Sequence, residues 1–420
     1  MNAAFPRIDD RLHAEAVPIE DIVEEIDTPV FVYSATELGA RYDALDAALS
    51  AVPHSICYSI KGNMNLAVVR TLISRGCGVD VTSGGELFRA LRAGGNPSQF
   101  VYSGVGKTDA EIDQALDAGI RMFNVESRDE LRVIDARAAQ RGVVAPVSFR
   151  VNPDVDPQTH PYIATGLRNS KFGIPIGEAV DAYAEAKSLE HVQVVGVDCH
   201  IGSQLVDLQP IVDALQRIRG LVVELRDAGH TIELLDVGGG LGITYGDERV
   251  ASPTDYGNAI AGSVGDLGCH VILEPGRWIT GNAGILVTRV LYNKRNGDKH
   301  FAVIDGAMTD LIRPTLYQAY HHIEPVGRPR VGSRVVDVVG PVCESADFIA
   351  QGRELPNLER GDLLAVHSAG AYGFAMSSNY NGRRRAAEVL VRGDQFEVVR
   401  TRDVFEDLIR GESIPENLTG

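Results

Sequence analysis

The sequence predicts an α/β fold: a (β/α)8 barrel joined to a second, C-terminal β-rich domain. Three observations carry this expectation. Eight short β-prone runs recur between residues 55 and 275, amphipathic helical stretches separate them, and after about residue 283 the rhythm changes to strands and turns. A doubly wound parallel sheet is the structural rival.

The runs come in this order: SICYSI (55–60), GVDVT (78–82), FVYSG (100–104), MFNVE (122–126), PVSFRV (146–151), VVGVDCH (194–200), LLDVGG (234–239) and HVILEP (270–275). Each meets Gly, Asn, Ser or Asp before a helical pattern begins. In GELFRALRAGG (85–95) and DAEIDQALDAGI (109–120) apolar residues return every three or four positions, the period of a one-sided helix. The barrel is assigned residues 28–282, with TPVFVYSATEL as its first βα-like element. The β-rich domain is assigned residues 1–27 and 283–420, read from ILVTRVLYNKR, KHFAVIDGA, SRVVDVVGPVCES, DLLAVHSAGAY and AAEVLVRGDQFEVVR, with a hairpin turn at RGDQF.

Composition narrows the function. A formal charge of −17 over 420 residues argues against a nucleic-acid partner, because phosphate backbones need a basic face. The five cysteines, Cys57, Cys77, Cys199, Cys269 and Cys343, form no CxxC pair. No secretory apolar region follows Met1, and no run approaches the roughly 18 apolar residues of a membrane span. The expectation is a soluble protein of a reducing cytoplasm, with no membrane and no nucleic acid among its partners.

Barrel chemistry sits at the C-terminal ends of strands. Lys61, His200, Gly238, Gly239, Gly240 and the EPGR run from Glu274 to Arg277 all fall there. Lys61 is either a strand-capping surface lysine or an amine held over the barrel mouth, where desolvation makes it a nucleophile toward carbonyls. LDVGGGLG (235–242) is either a tight turn or a backbone cradle for an anion. It is not a dinucleotide fingerprint, since the third glycine position is Ile243. VYSGVGKT (101–108) fails as a phosphate loop, because Val101 stands where glycine is required. Glu274 must be paired if buried, in an internal ion pair with Arg277 or against a protonated ring nitrogen. Gly276 and Arg277 offer amides and a guanidinium fork to an anion. His200 is a structural imidazole or a flat face for an aromatic cofactor, and Ser203 is a candidate phosphate ligand. Cys343 and Glu344, in GPVCESAD (340–347), read as core cysteine and neighbour or as an acid beside a cation-binding carboxylate. Tyr372 lies in a Gly/Ser/Asn loop whose bland reading is a flexible surface segment, and Arg383–Arg385 reads as a solvated charge run. Arg313 and Tyr317 fall in IRPTLYQAYHH, and the His321–His322 pair lacks a metal-ligand pattern, so no metal is assigned.

Taken together, YSIKGN, GCGVDVTSGGEL, HPYIATG with SKFG, CHIGSQ, DVGGGLG, EPGR, RPTLY, GPVCES and GAYGFAMSSNYN resemble the fold-type III pyridoxal-phosphate-dependent amino-acid decarboxylases. Within that family the resemblance is to the branch acting on meso-2,6-diaminopimelate, and it runs from TPVFVY near 28 to AEVLV near 391. One departure is visible: Gly382, Arg383, Arg384, Arg385 and Ala386 stand where the family pattern has Ser, Arg, Pro, Arg, Pro. The resemblance implies that Lys61 binds pyridoxal 5'-phosphate covalently, that Glu274 pairs with its ring nitrogen and that His200 covers the ring. It implies further cofactor contacts from Asp80, Ser203, Gly238 to Gly240, Gly276, Arg277 and Tyr372. Arg277, Arg313, Tyr317 and Tyr372 are implied to hold the distal carboxylate end of a small amino-acid substrate, Glu344 its distal ammonium, and Cys343 to return a proton after carbon dioxide leaves. A homodimer with shared sites is implied as well. Related decarboxylases acting on arginine, ornithine or carboxynorspermidine are the nearest alternative; a racemase or a binding protein without chemistry are more distant ones.

Overall fold

The structure is a computed structural model, and it describes residues 4–156, 165 and 170–418. Of the HPYIATG marker only Thr165 falls within the described residues. The chain divides into two compact units, Glu37–Gly281 and a second made of Met1–Thr36 with Asn282–Gly420.

In the first unit eight parallel strands close on themselves. They are β1 (His54–Ser59), β2 (Gly78–Val81), β3 (Phe100–Tyr102), β4 (Met122–Val125), β5 (Ala145–Asn152), β6 (Val192–Asp198), β7 (Leu234–Asp236) and β8 (His270–Leu273). Each pairs with its sequence neighbour, β8 pairs with β1, and the ring is complete. The polar residues that follow the strands work as helix N-caps. Asn65, Ser83 and Ser127 accept N–H groups of the first turn, and Thr108 and Ser252 form capping boxes with Glu111 and Asp255. Such a cap stabilises its helix by about 1 kcal/mol, so the same residues that stop a strand start the next helix.

Alternation along the strands sets what fills the barrel. Cys57, Val101, Met122 and Ile272 form a buried apolar layer with Val195 and Leu234 packed on it. Inward side chains recur every second residue, so the next layer toward the C-terminal ends is Ser59, Ser103, Asn124, Asp236 and Glu274, and every member is polar and buried. On β6 the register slips between Val194 and Gly196, and Asp198, three residues past Val195, is the buried acid there.

The second unit carries a seven-strand path: Phe348–Pro356, Ser333–Val339, Lys299–Ile304, Gly284–Asn296, Val30–Ser34, Ala387–Arg392 and Gln395–Arg400. The RGDQF turn joins the last two, with Arg392 opposite Gln395 and Gly393 at φ 64°. Here the sequence reading needs a correction. TPVFVYSATEL does not open the barrel. Its strand, Val30–Ser34, is buried along its whole length and pairs antiparallel with Gly284–Asn296 and parallel with Ala387–Arg392. The boundary therefore falls between Thr36 and Glu37, inside the run, and not at residue 28. The βα pattern misleads because a strand buried on both faces looks the same whichever sheet it joins. Among the described residues no helix is long and apolar enough to cross a membrane.

Candidate active site

The polar layer of the barrel gathers the candidates of the first unit. After β1 the chain turns through a single 3-10 turn, Ile60–Gly62, which carries Lys61. Its Nζ donates to Asp80 Oδ2 at 2.8 Å, and Ser59 Oγ donates to the same oxygen at 2.6 Å. Asp80 is fully buried, while the Lys61 side chain keeps 40% of its exposure. Burial pushes the Asp80 carboxyl up, but the Lys61 ammonium and the Ser59 hydroxyl outweigh it and hold the group below the usual carboxylate range. Lys61 thus stands at the barrel mouth, partly buried and held as one half of an ion pair.

Beside this pair lies a set of carboxyls that burial pushes well above their ordinary range. Asp198, Asp236 and Glu274 all shift this way, and each is raised further by a neighbouring acid. Asn124 is the polar group between two of them. Its Nδ2 donates to Asp236 Oδ2 at 3.2 Å and to Glu274 Oε1 at 3.3 Å, and Ser103 Oγ donates to the same Glu274 oxygen at 3.2 Å. Arg150 pairs with Glu126 at 3.1 Å, donates to the His200 carbonyl at 3.3 Å and pulls the Asp198 carboxyl back down in part. Glu274 therefore does not take the ion pair with Arg277 that the sequence left open. Arg277, also buried, instead donates from Nε to Ser203 Oγ at 3.2 Å and from Nη1 to the Tyr245 hydroxyl at 2.6 Å.

The glycine run after β7 is bent around these groups. Gly238 and Gly240 have φ of 65° and 110°, a region that side chains disfavour. A Cβ on Gly238 would stand 2.5 Å from His200 Nδ1, and one on Gly239 would collide with the Glu274 carbonyl. Gly238 N–H donates to Asp236 Oδ1 at 3.0 Å, and Gly239 N–H donates to His200 Nδ1 at 3.2 Å. A ring nitrogen that accepts an amide proton carries none itself. Burial, with Arg150 and Lys61 adding to it, pushes the His200 imidazole down to about 3, so it is neutral at ordinary pH. Tyr256 fixes the Gly239 carbonyl at 3.0 Å from the flanking helix Pro253–Val264.

The second unit holds the remaining candidates. Arg313 opens the short helix Arg313–Tyr317, is buried, and lies 2.9 Å from His321 Nε2, whose Nδ1 is 2.8 Å from the His367 carbonyl. Tyr317 and Tyr372 are partly buried, and Tyr372 has φ 57°. Cys343 and Glu344 are exposed, so Cys343 is no core cysteine. Their loop is nevertheless anchored. Asp347 accepts the Val342 and Met308 N–H groups, both at 2.6 Å, and Asn381 Oδ1 accepts the Cys343 N–H at 2.8 Å. Of the Arg383–Arg385 run only Arg384 is exposed: Arg383 donates to the Asp305 carbonyl at 2.8 Å, and Arg385, with Arg400, converges on buried Asp403 at 3.0 and 2.6 Å.

Sequence reasoning missed Asn124, Asp198, Asp236, Asp347, Asn381 and Asp403. For the first three a signal was present, since each is a polar residue inside a run otherwise read as a buried strand. The barrel residues suit a cofactor with a basic ring nitrogen at one side and an anionic group at the other. Buried carboxyls favour the first, and glycine backbone with a buried guanidinium favours the second. Among the described residues no group of His, Cys, Asp and Glu is arranged to hold a metal ion.

Residues 36–281 match the family profile for the pyridoxal binding domain of pyridoxal-dependent decarboxylases. The chain is 52% identical to diaminopimelate decarboxylase of Pseudomonas aeruginosa, over 98% of this chain and 99% of that one. Among solved structures it is similar to diaminopimelate decarboxylase of M. jannaschii in co-complex with L-lysine, with a TM-score of 0.95 and 37% identity across 99% of both chains. It is also similar to the Helicobacter pylori enzyme complexed with L-lysine, with a TM-score of 0.91 and 39% identity across 93% of this chain and 98% of that one.

Proposed function

The chain belongs to the family of pyridoxal-dependent decarboxylases, and from that premise we infer that it is a carboxy-lyase converting meso-2,6-diaminopimelate to L-lysine and carbon dioxide. The observation that carries the reading is the mouth of the barrel, where an ion-paired lysine and a buried glutamate stand beside a glycine turn. When bound, pyridoxal 5'-phosphate supplies an electron sink for the pair of electrons that the departing carboxylate leaves behind.

The chain's own residues divide the remaining work. Lys61 holds the cofactor through Nζ, and Asp80 aims that nitrogen. Glu274 meets the ring nitrogen, and His200, neutral and flat, covers the ring. Gly240, Gly276, Ser203, Arg277 and Tyr372 hold the phosphate, while Gly238 and Gly239, whose N–H groups are taken by Asp236 and His200, shape the turn that brings them there. Arg277, Arg313 and Tyr317 take the substrate's distal carboxylate, and Glu344 takes its distal ammonium. Cys343 gives the proton from Sγ that replaces the lost carboxylate. The exposure of Cys343 and Glu344 on an anchored loop supports their use across a two-fold dimer, each serving the partner's site. Five free cysteines suit a reducing cytoplasm.

A site built for two charged distal groups rejects substrates lacking one by roughly 10⁴-fold or more. Carbon dioxide release is therefore expected from meso-diaminopimelate, with kcat/KM for ornithine, arginine and carboxynorspermidine lower by about that factor. Comparable turnover of any of the three removes the substrate assignment.

A further inference from the structure

We propose that Asn124 is a positioning residue for Glu274, a brace that fixes the carboxyl from across the barrel and so sets how well the ring nitrogen of the cofactor is held. The inference rests on the reading of Glu274 as the partner of that nitrogen and goes one step behind it.

Asn124 is wholly buried on β4 and reaches groups from four other strands or strand ends. Ser148 on β5 donates to its Oδ1 at 2.6 Å. Its Nδ2 lies 3.1 Å from Ser103 Oγ after β3, 3.2 Å from Asp236 Oδ2 on β7 and 3.3 Å from Glu274 Oε1 after β8. In this orientation the amide N–H groups face the two carboxyls and the amide oxygen faces the Ser148 hydroxyl. The main chain of Asn124 is held too. Lys107, whose side chain is completely buried, donates to the Asn124 carbonyl at 2.9 Å, to the Gly104 carbonyl at 2.8 Å and to Glu130 at 2.6 Å. The lysine of VYSGVGKT thus finds its use as a strut between the tops of β3 and β4.

Asn124 and Ser103 both donate to Glu274 Oε1, and the Glu274 carboxyl is hydrogen-bonded to that of Asp236 as well. Together these contacts hold the carboxyl in place. The same amide holds Asp236 beside it, so two acids share a single donor group and neither can turn without loosening the other. The role given to Asn124 acts through Glu274, which separates it from that of a catalytic residue.

The test compares Asn124→Asp, which keeps the shape but turns the donor into an acceptor among acids, with Glu274→Gln and Ser148→Ala. Apoenzyme is prepared from each and titrated with pyridoxal 5'-phosphate by equilibrium dialysis. The visible spectrum of each loaded protein is then followed against pH. Loss of a hydrogen bond to an ionisable partner predicts about a tenfold weaker cofactor affinity for Asn124→Asp, and roughly threefold for Ser148→Ala. The spectral pH midpoint should shift in both, kcat should fall, and KM for the substrate should move less than about twofold. If Asn124→Asp loads with unchanged affinity and spectrum while Glu274→Gln disturbs both, the brace is refuted and the reading of Glu274 stands. If Glu274→Gln disturbs neither, that reading fails and the brace falls with it. Should Asn124→Asp not fold, Ser148→Ala decides alone, an unchanged affinity and spectrum counting against the proposal.

Discussion

The two units hold their candidate site residues by opposite means. In the barrel, the acids and Lys61 stand at strand ends, their positions set by alternation along strands that hydrogen-bond on both edges. In the β-rich unit, Cys343 and Glu344 sit exposed on a loop that Asp347 anchors from within the same segment, and Asn381 and Asp403, farther along the chain, hold that region in shape. Strand register places a group with the rigidity of the sheet and buries it, which shifts its ionisation. A loop anchored by a few hydrogen bonds leaves a group accessible and fixes it only as firmly as those bonds allow.

The largest break in this contrast comes from the strand-end lysine. Lys61→Ala is expected to lower kcat by about 10³-fold or more, because both covalent attachment and orientation are lost. Its fold should persist, since Lys61 is partly exposed, although Asp80 then loses its cation. Steady-state turnover with excess cofactor, beside a thermal melt of the same sample, checks both halves.

A smaller effect is expected at the loop. Asp347→Ala removes the acceptor of two N–H groups at 2.6 Å, each bond contributing about 1 to 2 kcal/mol. Turnover should fall by roughly ten- to thirtyfold, equivalent to about 1.4 to 2 kcal/mol. Cys343 should meanwhile react faster with a soluble thiol reagent. Unchanged thiol reactivity together with unchanged turnover would show that the anchor is dispensable.

The third effect concerns stability alone. Asp310, also in the β-rich unit, is buried and accepts the Ala307 N–H at 3.0 Å. Burial pushes its carboxyl up from 3.8 to about 7, against the pull of that N–H and of Arg383. An acid whose value is higher in the folded state binds its proton more tightly there. It favours the fold below about pH 4 and loses that contribution as pH rises toward 7. Asp310→Asn should therefore match the parent near pH 4 and exceed it by about 2 to 4 kcal/mol at pH 8. Urea melts at the two pH values read the difference.

The barrel was legible from sequence because its two periods, two along strands and 3.6 along helices, alternate without interruption from Ser55 onward. All eight expected runs match strands β1 to β8. The membership of Val30–Ser34 was not legible, because nothing in five buried residues states which sheet edges they will meet. The same limit hid the bonds of Asp347 to Met308 and of Asn381 to Cys343, which span 39 and 38 residues of the chain. Asp236 and Asn124 stood in plain view, but a polar residue in an apolar run shows only that it needs a partner. The partner itself, 112 residues distant, is fixed by closure of the barrel.

The placement of Val30–Ser34 has a consequence for how the chain is made. The strand leaves the ribosome early, yet its antiparallel partner begins at Gly284 and its parallel partner at Ala387. The whole of Glu37–Gly281 is translated in between and acquires all of its own strand partners first. Until the later strands emerge, an apolar segment with two unsatisfied edges must be shielded, and the nascent β-rich unit is the part of this molecule most exposed to aggregation and most in need of a chaperone.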